Sequence, residues 1–195
     1  MLLIIGGKSG SGKDSIVKEF EKNGWKKIIK YTNRPKREGE IDGVDYHFVS
    51  IGFMETIPFI FKQSVVVANG DTWYYGFPTG HIMLNGDKND KYIIIMTPFE
   101  YNKFLDMTKG LKIIGKDFIS VQIDVSDDIR RERLIKRGDD IEEIDRRIKA
   151  DNKDFEGWEL KHKEESQFPL FYIRDGIGDR TPEDIYNTII EMMKS

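Results

Sequence analysis

The chain has 195 residues, 38% hydrophobic and 12% aromatic, enough for one well-buried core carrying at most an inserted lobe. Lys and Arg total 31 against 34 Asp and Glu, so a net charge of −3 provides no global field to draw the chain to nucleic acid or an anionic membrane. The absence of cysteine excludes disulfides, thiolate metal sites and a cysteine nucleophile and makes a reducing cytoplasm the expected compartment; no apolar run approaches the roughly 18 residues of a membrane span.

In chain order, LLII (2–5) predicts a first strand, and a helix is expected from Asp14 to Lys22. KKIIKY (26–31) reads as a second strand. From about Asn33 to Tyr75 the rhythm breaks into glycine, proline, charge and aromatics, which predicts an inserted lobe rather than another strand–helix unit. YIIIM (92–96), FISVQIDV (118–125) and LFYIR (170–174) are the later strands. Helices are expected over Pro98–Met107, Asp127–Lys136, Ile141–Phe155 and Pro182–Met193, the last capped by Thr181. This alternation predicts an α/β fold, a parallel sheet with both faces covered by helices.

Between the first strand and helix lies GGKSGSGKDS, whose Gly7, Gly12 and Lys13 fit the GxxxxGK spacing. A strand delivering a glycine-rich turn into a helix leaves backbone N–H groups pointing one way, with the positive end of the helix dipole behind them. That is a phosphate cradle, expected to be formed by Gly7, Ser9, Gly10, Ser11, Gly12, Lys13, Asp14 and Ser15, with Lys13 following a transferring phosphoryl group. Asp14 stands where the pattern has Ser or Thr. Its carboxylate, with the Ser15 hydroxyl, is a candidate Mg²⁺ ligand; the alternative is an anion favoured by the first helical turn.

The lobe opens on TNRPKREGEIDGVDYHF (32–48): two arginines three apart in a proline-fixed turn, with a tyrosine beyond, make a site for a second, doubly charged phosphate. This stretch resembles the acceptor-phosphate signature of the guanylate kinase family, in which a threonine, two arginines, a glutamate, a glycine and a tyrosine stand at this spacing. Trp73-Tyr74-Tyr75-Gly76 resembles the family's Tyr-Tyr-Gly element, and Arg133-Leu134-Ile135-Lys136-Arg137-Gly138 with Arg147 resembles its lid.

The resemblance implies a P-loop NTPase of three-layer α/β/α build, one domain with a core over 1–32 and 80–195, an acceptor-binding lobe at about 33–79 and a lid at about 133–150. It implies acceptor contacts from Arg34, Arg37, Glu40, Tyr46, Tyr75 and Thr97, ATP contacts from Arg133 and Arg137 beside the cradle, and catalytic roles for Lys13, Arg137 and Arg147. The expected reaction is phosphoryl transfer from ATP to GMP or dGMP with Mg²⁺, by a monomer or homodimer without nucleic-acid or membrane partners. Alternatives are a kinase for another nucleotide or a sugar phosphate, and a non-catalytic phospho-binding module.

Departures fall on the base-reading positions. Val66 and Ile95 stand where the family has acidic side chains, Thr97 replaces a second aspartate, and Lys30 and Phe77 replace serines. Valine and isoleucine cannot accept from a guanine edge, which leaves Asn69, Asp71 and Thr97 as candidate substitutes. His47, His81 and His162 show no metal-ligand spacing and receive no chemistry.

Overall fold

The computed structural model describes residues 1–78, 90–108, 118–158, 170–175 and 178–194. In chain order its strands are β1 (Leu2–Gly7), β2 (Lys26–Lys27), β3 (Tyr31–Thr32), β4 (His47–Phe48), β5 (Phe59–Val66), β6 (Thr72–Pro78), β7 (Tyr92–Ile95), β8 (Phe118–Asp124) and β9 (Leu170–Arg174). The helices are α1 (Lys13–Lys22), α2 (Ile51–Thr56), α3 (Pro98–Thr108), α4 (Asp127–Lys136), α5 (Ile141–Phe155) and α6 (Pro182–Met192). His81, His162 and the expected lobe boundary at 79–80 lie outside the described residues.

The chain divides into two compact units, the first made of Met1–Lys27, Lys91–Pro98 and Gly115–Ser195, the second of Ile28–Asp90 and Phe99–Ile114. In the first, five strands run β2-β7-β1-β8-β9, all parallel. Every residue of central β1 is buried, the continuous apolar signature of a strand covered on both faces. Leu3, Ile5, Ile93 and Val121 join Ile16, Val17 and Phe20 of α1 and Ile185 and Ile189 of α6 in one core. Edge strand β9 buries only Ile173 fully. The predicted cap of α6 forms as a reciprocal box: Thr181 Oγ1 accepts from Asp184 N–H, and the Asp184 carboxylate accepts from Thr181 N–H.

KKIIKY is corrected: it is two strands, not one. Lys26–Lys27 pairs with β7 in the parallel sheet, whereas Tyr31–Thr32 pairs with β4 and β6 in the second unit. A run of six residues without glycine or proline carries no local mark of a change of sheet.

The second unit is built on a mixed four-stranded sheet, β4-β3-β6-β5. β5 and β6 form an antiparallel hairpin closed by the Asn69–Asp71 turn, where Gly70 takes a φ of 88°. Asn69 and Asp71 are bonded to each other there, side chain to side chain at 2.9 Å and Asp71 N–H to Asn69 Oδ1 at 3.0 Å, which makes them turn formers. Helix α3 buries Glu100, Tyr101, Phe104 and Leu105, a stripe at helical spacing.

Gly76, in the middle of β6, has no room for a side chain: a Cβ there would lie 2.5 Å from the Phe59 ring. Gly76→Ala is therefore expected to destabilise the protein by about 1–3 kcal/mol through overpacking. Urea denaturation of Gly76→Ala, Phe59→Leu and the double variant checks this, with the two changes coupled rather than additive.

Candidate active site

The cradle takes the expected course. Gly10 has φ 80°, and a Cβ on it would meet the Arg130 carbonyl oxygen at 2.8 Å, so both backbone sign and close approach demand glycine. Gly12 (φ 88°) is the N-cap of α1, which opens on Lys13. Buried Ser11 turns back on the loop, its N–H donating to the Lys8 carbonyl at 3.2 Å. Lys13 Nζ donates to that same carbonyl at 2.8 Å and to Ser11 Oγ at 3.3 Å. The ammonium is thus folded back over the loop. Asp14 and Ser15 are both exposed in the first turn of α1.

Three residues outside the motif hold this loop. Ser9 N–H donates to Asp151 Oδ2 at 2.6 Å and Lys8 Nζ to Asn152 Oδ1 at 2.7 Å, both from α5; Asn152 in turn donates to Asp127 of α4 at 2.6 Å. Arg130, fully buried beneath Gly10, lies 3.5 Å from the Asp127 carboxylate and 3.9 Å from that of Asp151. Nothing local singled these residues out; their only sequence signal was a polar Asp-Asn pair late in an amphipathic helix.

The expected lid arginines are all engaged by the chain. Arg133 donates to the Gly178 carbonyl at 3.0 Å and to that of Gly10 at 3.5 Å, which ties α4 to the cradle. Arg137 forks onto the Asp139 carboxylate. Arg147 donates to Glu143 Oε1 at 2.6 Å, the i,i+4 pair its spacing suggested, and to Asp139 Oδ2 at 3.3 Å.

In the second unit Arg34, Arg37, Glu40, Tyr46 and Tyr75 come together. Arg34 NH2 donates to Glu40 Oε1 at 2.7 Å, and Arg37 N–H donates to Glu40 Oε2 at 2.7 Å. The Arg34 guanidinium lies over the rings of Tyr46 and Phe48, 5.6 and 5.5 Å from their centroids, and Tyr46 meets Tyr75 edge-on at 5.9 Å. Thr32 Oγ1 accepts from Arg34 N–H and donates to the Tyr74 carbonyl, while Asn33 Oδ1 accepts from Tyr74 N–H, so the turn is tied to β6. Arg34 has a side-chain exposure of 2% and Arg37 of 30%, with Arg37 NH1 3.8 Å from Glu40 Oε1, so the first is buried framework and the second is partly exposed. Thr97 follows β7 and falls in the first unit, apart from this group in the chain's division. Val66 is 61% exposed.

Among the described residues no three acidic, histidine or cysteine side chains form a metal cage. A magnesium ion shared with substrate phosphates needs only one or two protein oxygens, which the exposed Asp14 carboxylate and Ser15 hydroxyl supply in kind.

Burial pushes the Glu40 carboxyl up, but the bonds from Arg34 and from Arg37 N–H outweigh it and hold the group below 4.5. A depressed carboxyl contributes stability that is complete above its unfolded value and is lost as pH falls through the folded one. The melting-temperature advantage of the wild type over Glu40→Gln is therefore expected to be full near pH 6–7 and to shrink on acidification toward about pH 3.

The family model for guanylate kinase matches residues 1–159. A chloroplastic/mitochondrial guanylate kinase of Oryza sativa subsp. japonica is 44% identical over 52 residues, 26% of this chain and 18% of that protein, so the match spans less than a fifth of that relative's length. A guanylate kinase of Ruegeria sp. is 29% identical over 174 residues, 81% of this chain and 72% of that one. The crystal structure of guanylate kinase from Anaplasma phagocytophilum aligns with all of this chain and 84% of its own at a TM-score of 0.66 and 19% identity, a likeness of fold.

Proposed function

Because the chain belongs to the guanylate kinase family, we propose that it is a phosphotransferase that moves the γ-phosphoryl group of ATP to a nucleoside monophosphate, GMP or dGMP first among acceptors. The observation that carries this reading is the Arg34–Glu40–Arg37 cluster backed by Tyr46 and Tyr75, a phosphate site of its own in a chain that also has a glycine-lined cradle with a mobile lysine.

In this reading the donor phosphates lie on the N–H groups of Gly10 to Ser15, and Lys13 swings away from the Lys8 carbonyl and Ser11 Oγ to follow the phosphoryl group in transfer. Arg133, Arg137 and Arg147 exchange carbonyl and carboxylate partners for phosphate oxygens, and neutralise charge as it develops. Arg37 and Tyr75 bind the acceptor phosphate, while Glu40 holds both arginine segments in register. No protein nucleophile takes part; catalysis is positioning and charge neutralisation. Magnesium, when bound, supplies charge to the transferring phosphates, and Asp14 and Ser15 would hold it. The domain plan of core, acceptor lobe and lid, and a cytoplasmic location, belong to the same proposal. A module that only bound phosphate would have no use for a lysine released from the cradle.

A coupled ADP-release assay over a panel of nucleoside and deoxynucleoside monophosphates tests the reading; no release with any of them overturns it. Lys13→Met is expected to lower kcat by about 10²-fold or more with the circular dichroism spectrum unchanged. Arg37→Ala is expected to raise the acceptor KM well above any change in the ATP KM, and equal effects argue against a dedicated acceptor site. Arg34→Ala is the poorer test, because it strands the half-buried Glu40. If Asp14 holds magnesium, both Asp14→Ser and Asp14→Asn shift the dependence of kcat/KM for ATP to higher free Mg²⁺; superimposable curves leave only the helix-dipole role.

A further inference from the structure

Helix α5 grips the cradle through two neighbouring side chains that differ in how well they are satisfied. Asn152 is paired at both ends: Oδ1 accepts from Lys8 Nζ at 2.7 Å, and Nδ2 donates to Asp127 Oδ2 at 2.6 Å. Asp151 Oδ2 accepts from Ser9 N–H at 2.6 Å, and the same oxygen lies 3.9 Å from Arg130 NH1, beyond hydrogen-bond reach. The Arg130 side chain is fully buried, and among the described residues none of its three nitrogens has a hydrogen-bond partner. Its second carboxylate neighbour, Asp127, stands 3.5 Å away without making one.

A buried guanidinium without hydrogen bonds is costly, and an apolar side chain of similar length would fill the space as well, so stability alone does not account for Arg130. Its place beneath the loop does point to a use. In the phosphotransferase reading, the N–H groups that take the donor phosphates begin at Gly10, one residue beyond Ser9. A carboxylate resting on Ser9 N–H repels any phosphate that arrives beside it, and the nearest cation able to take that carboxylate is Arg130.

We propose that Asp151 is a movable counter-anion of the donor site: phosphate binding drives its carboxylate off Ser9 N–H and onto Arg130, which is buried beneath the loop to receive it. This deepens the phosphotransferase reading and rests on it. The move is roughly 1 Å, the difference between 3.9 Å and an ordinary charge-assisted bond, so a side-chain rotation suffices while the Asn152 ties stay in place. It relieves the repulsion, satisfies the guanidinium and releases Ser9 N–H together. It also reaches Lys13, because Ser9 N–H and the Lys8 carbonyl that holds Lys13 Nζ belong to one peptide group. A carboxylate on the N–H end polarises the carbonyl end, so its departure loosens the ammonium as the phosphates arrive. Asp151 and Arg130 are positioning residues; neither touches the reacting atoms.

Calorimetric titration of ATP with Mg²⁺, in the absence of any acceptor, tests this in the wild type, Asp151→Asn, Arg130→Met and the double variant. Asparagine keeps an oxygen for Ser9 N–H but has no charge to displace, so Asp151→Asn is expected to bind ATP about fivefold or more tighter. Arg130→Met is expected to bind it about fivefold or more weaker, with Arg130→Lys recovering most of the loss. In the Asp151→Asn background, Arg130→Met is expected to cost less than about twofold, since no carboxylate then needs a new partner. An Arg130→Met loss of equal size in both backgrounds would mean a cation that attracts phosphate directly, or mere packing, and overturns the proposal. So does Asp151→Asn binding ATP no tighter than the wild type. Thermal melts verify each fold; if Arg130→Met does not fold, Asp151→Asn decides by itself, because the Asp151 side chain is 20% exposed and the change is isosteric. A wild type that binds no ATP would instead defeat the phosphotransferase reading, and this proposal with it.

Discussion

Cations gathered in a protein to meet an anion repel one another and lose hydration, and here the cost is met by carboxylates of the same chain. Glu40 joins Arg34 to the backbone of Arg37, Asp139 and Glu143 hold Arg137 and Arg147, and Glu100 holds Lys30. Asp151 plays the matching part at the cradle, taking the N–H of Ser9 that a loop of this shape leaves without a ladder partner. Each carboxylate fixes where its donor points. The donors are therefore aimed by anions that belong to the protein itself.

This pairing works only because two sheets present the donors. The parallel sheet of the first unit delivers the cradle from the end of β1, directly into α1, so that loop N–H groups and helix dipole act at one point. The mixed sheet of the second unit does something different: its alternation and register sort side chains onto one face, with the arginine and tyrosines toward one end and the buried lysine toward the other. The two ends of this face, on either side of a strand of two residues, thus differ in chemistry. A one-residue slip of β3 would send Lys30 and Thr32 to the opposite face and break both the Lys30–Glu100 pair and the bond from Thr32 to the Tyr74 carbonyl.

Arg34 and Arg37 illustrate how similar residues acquire unlike tasks. Both carry a guanidinium on the same turn, and three positions separate them. Burial, stacking on two rings and the bond to Glu40 make Arg34 part of the framework, while the partly exposed Arg37 retains reach.

Much of this was legible from residue order. Continuous apolar runs marked the buried parallel strands; Thr181, Pro182 and Asp184 marked the start of α6; and Gly7, Gly12 and Lys13 marked the cradle, because each signal is local and its physics is complete within a few residues. The arginine turn of the second unit could be read for the same reason. What order alone did not contain was partnership across distance. That KKIIKY divides between two sheets, that Asp151 reaches Ser9 across 142 positions, and that Lys30 meets Glu100 across 70 are decided by packing, which joins segments with no mark on either to name the other. A lysine in a short strand-forming run reads as an exposed residue until the fold buries it, and only then does its need for a carboxylate become visible.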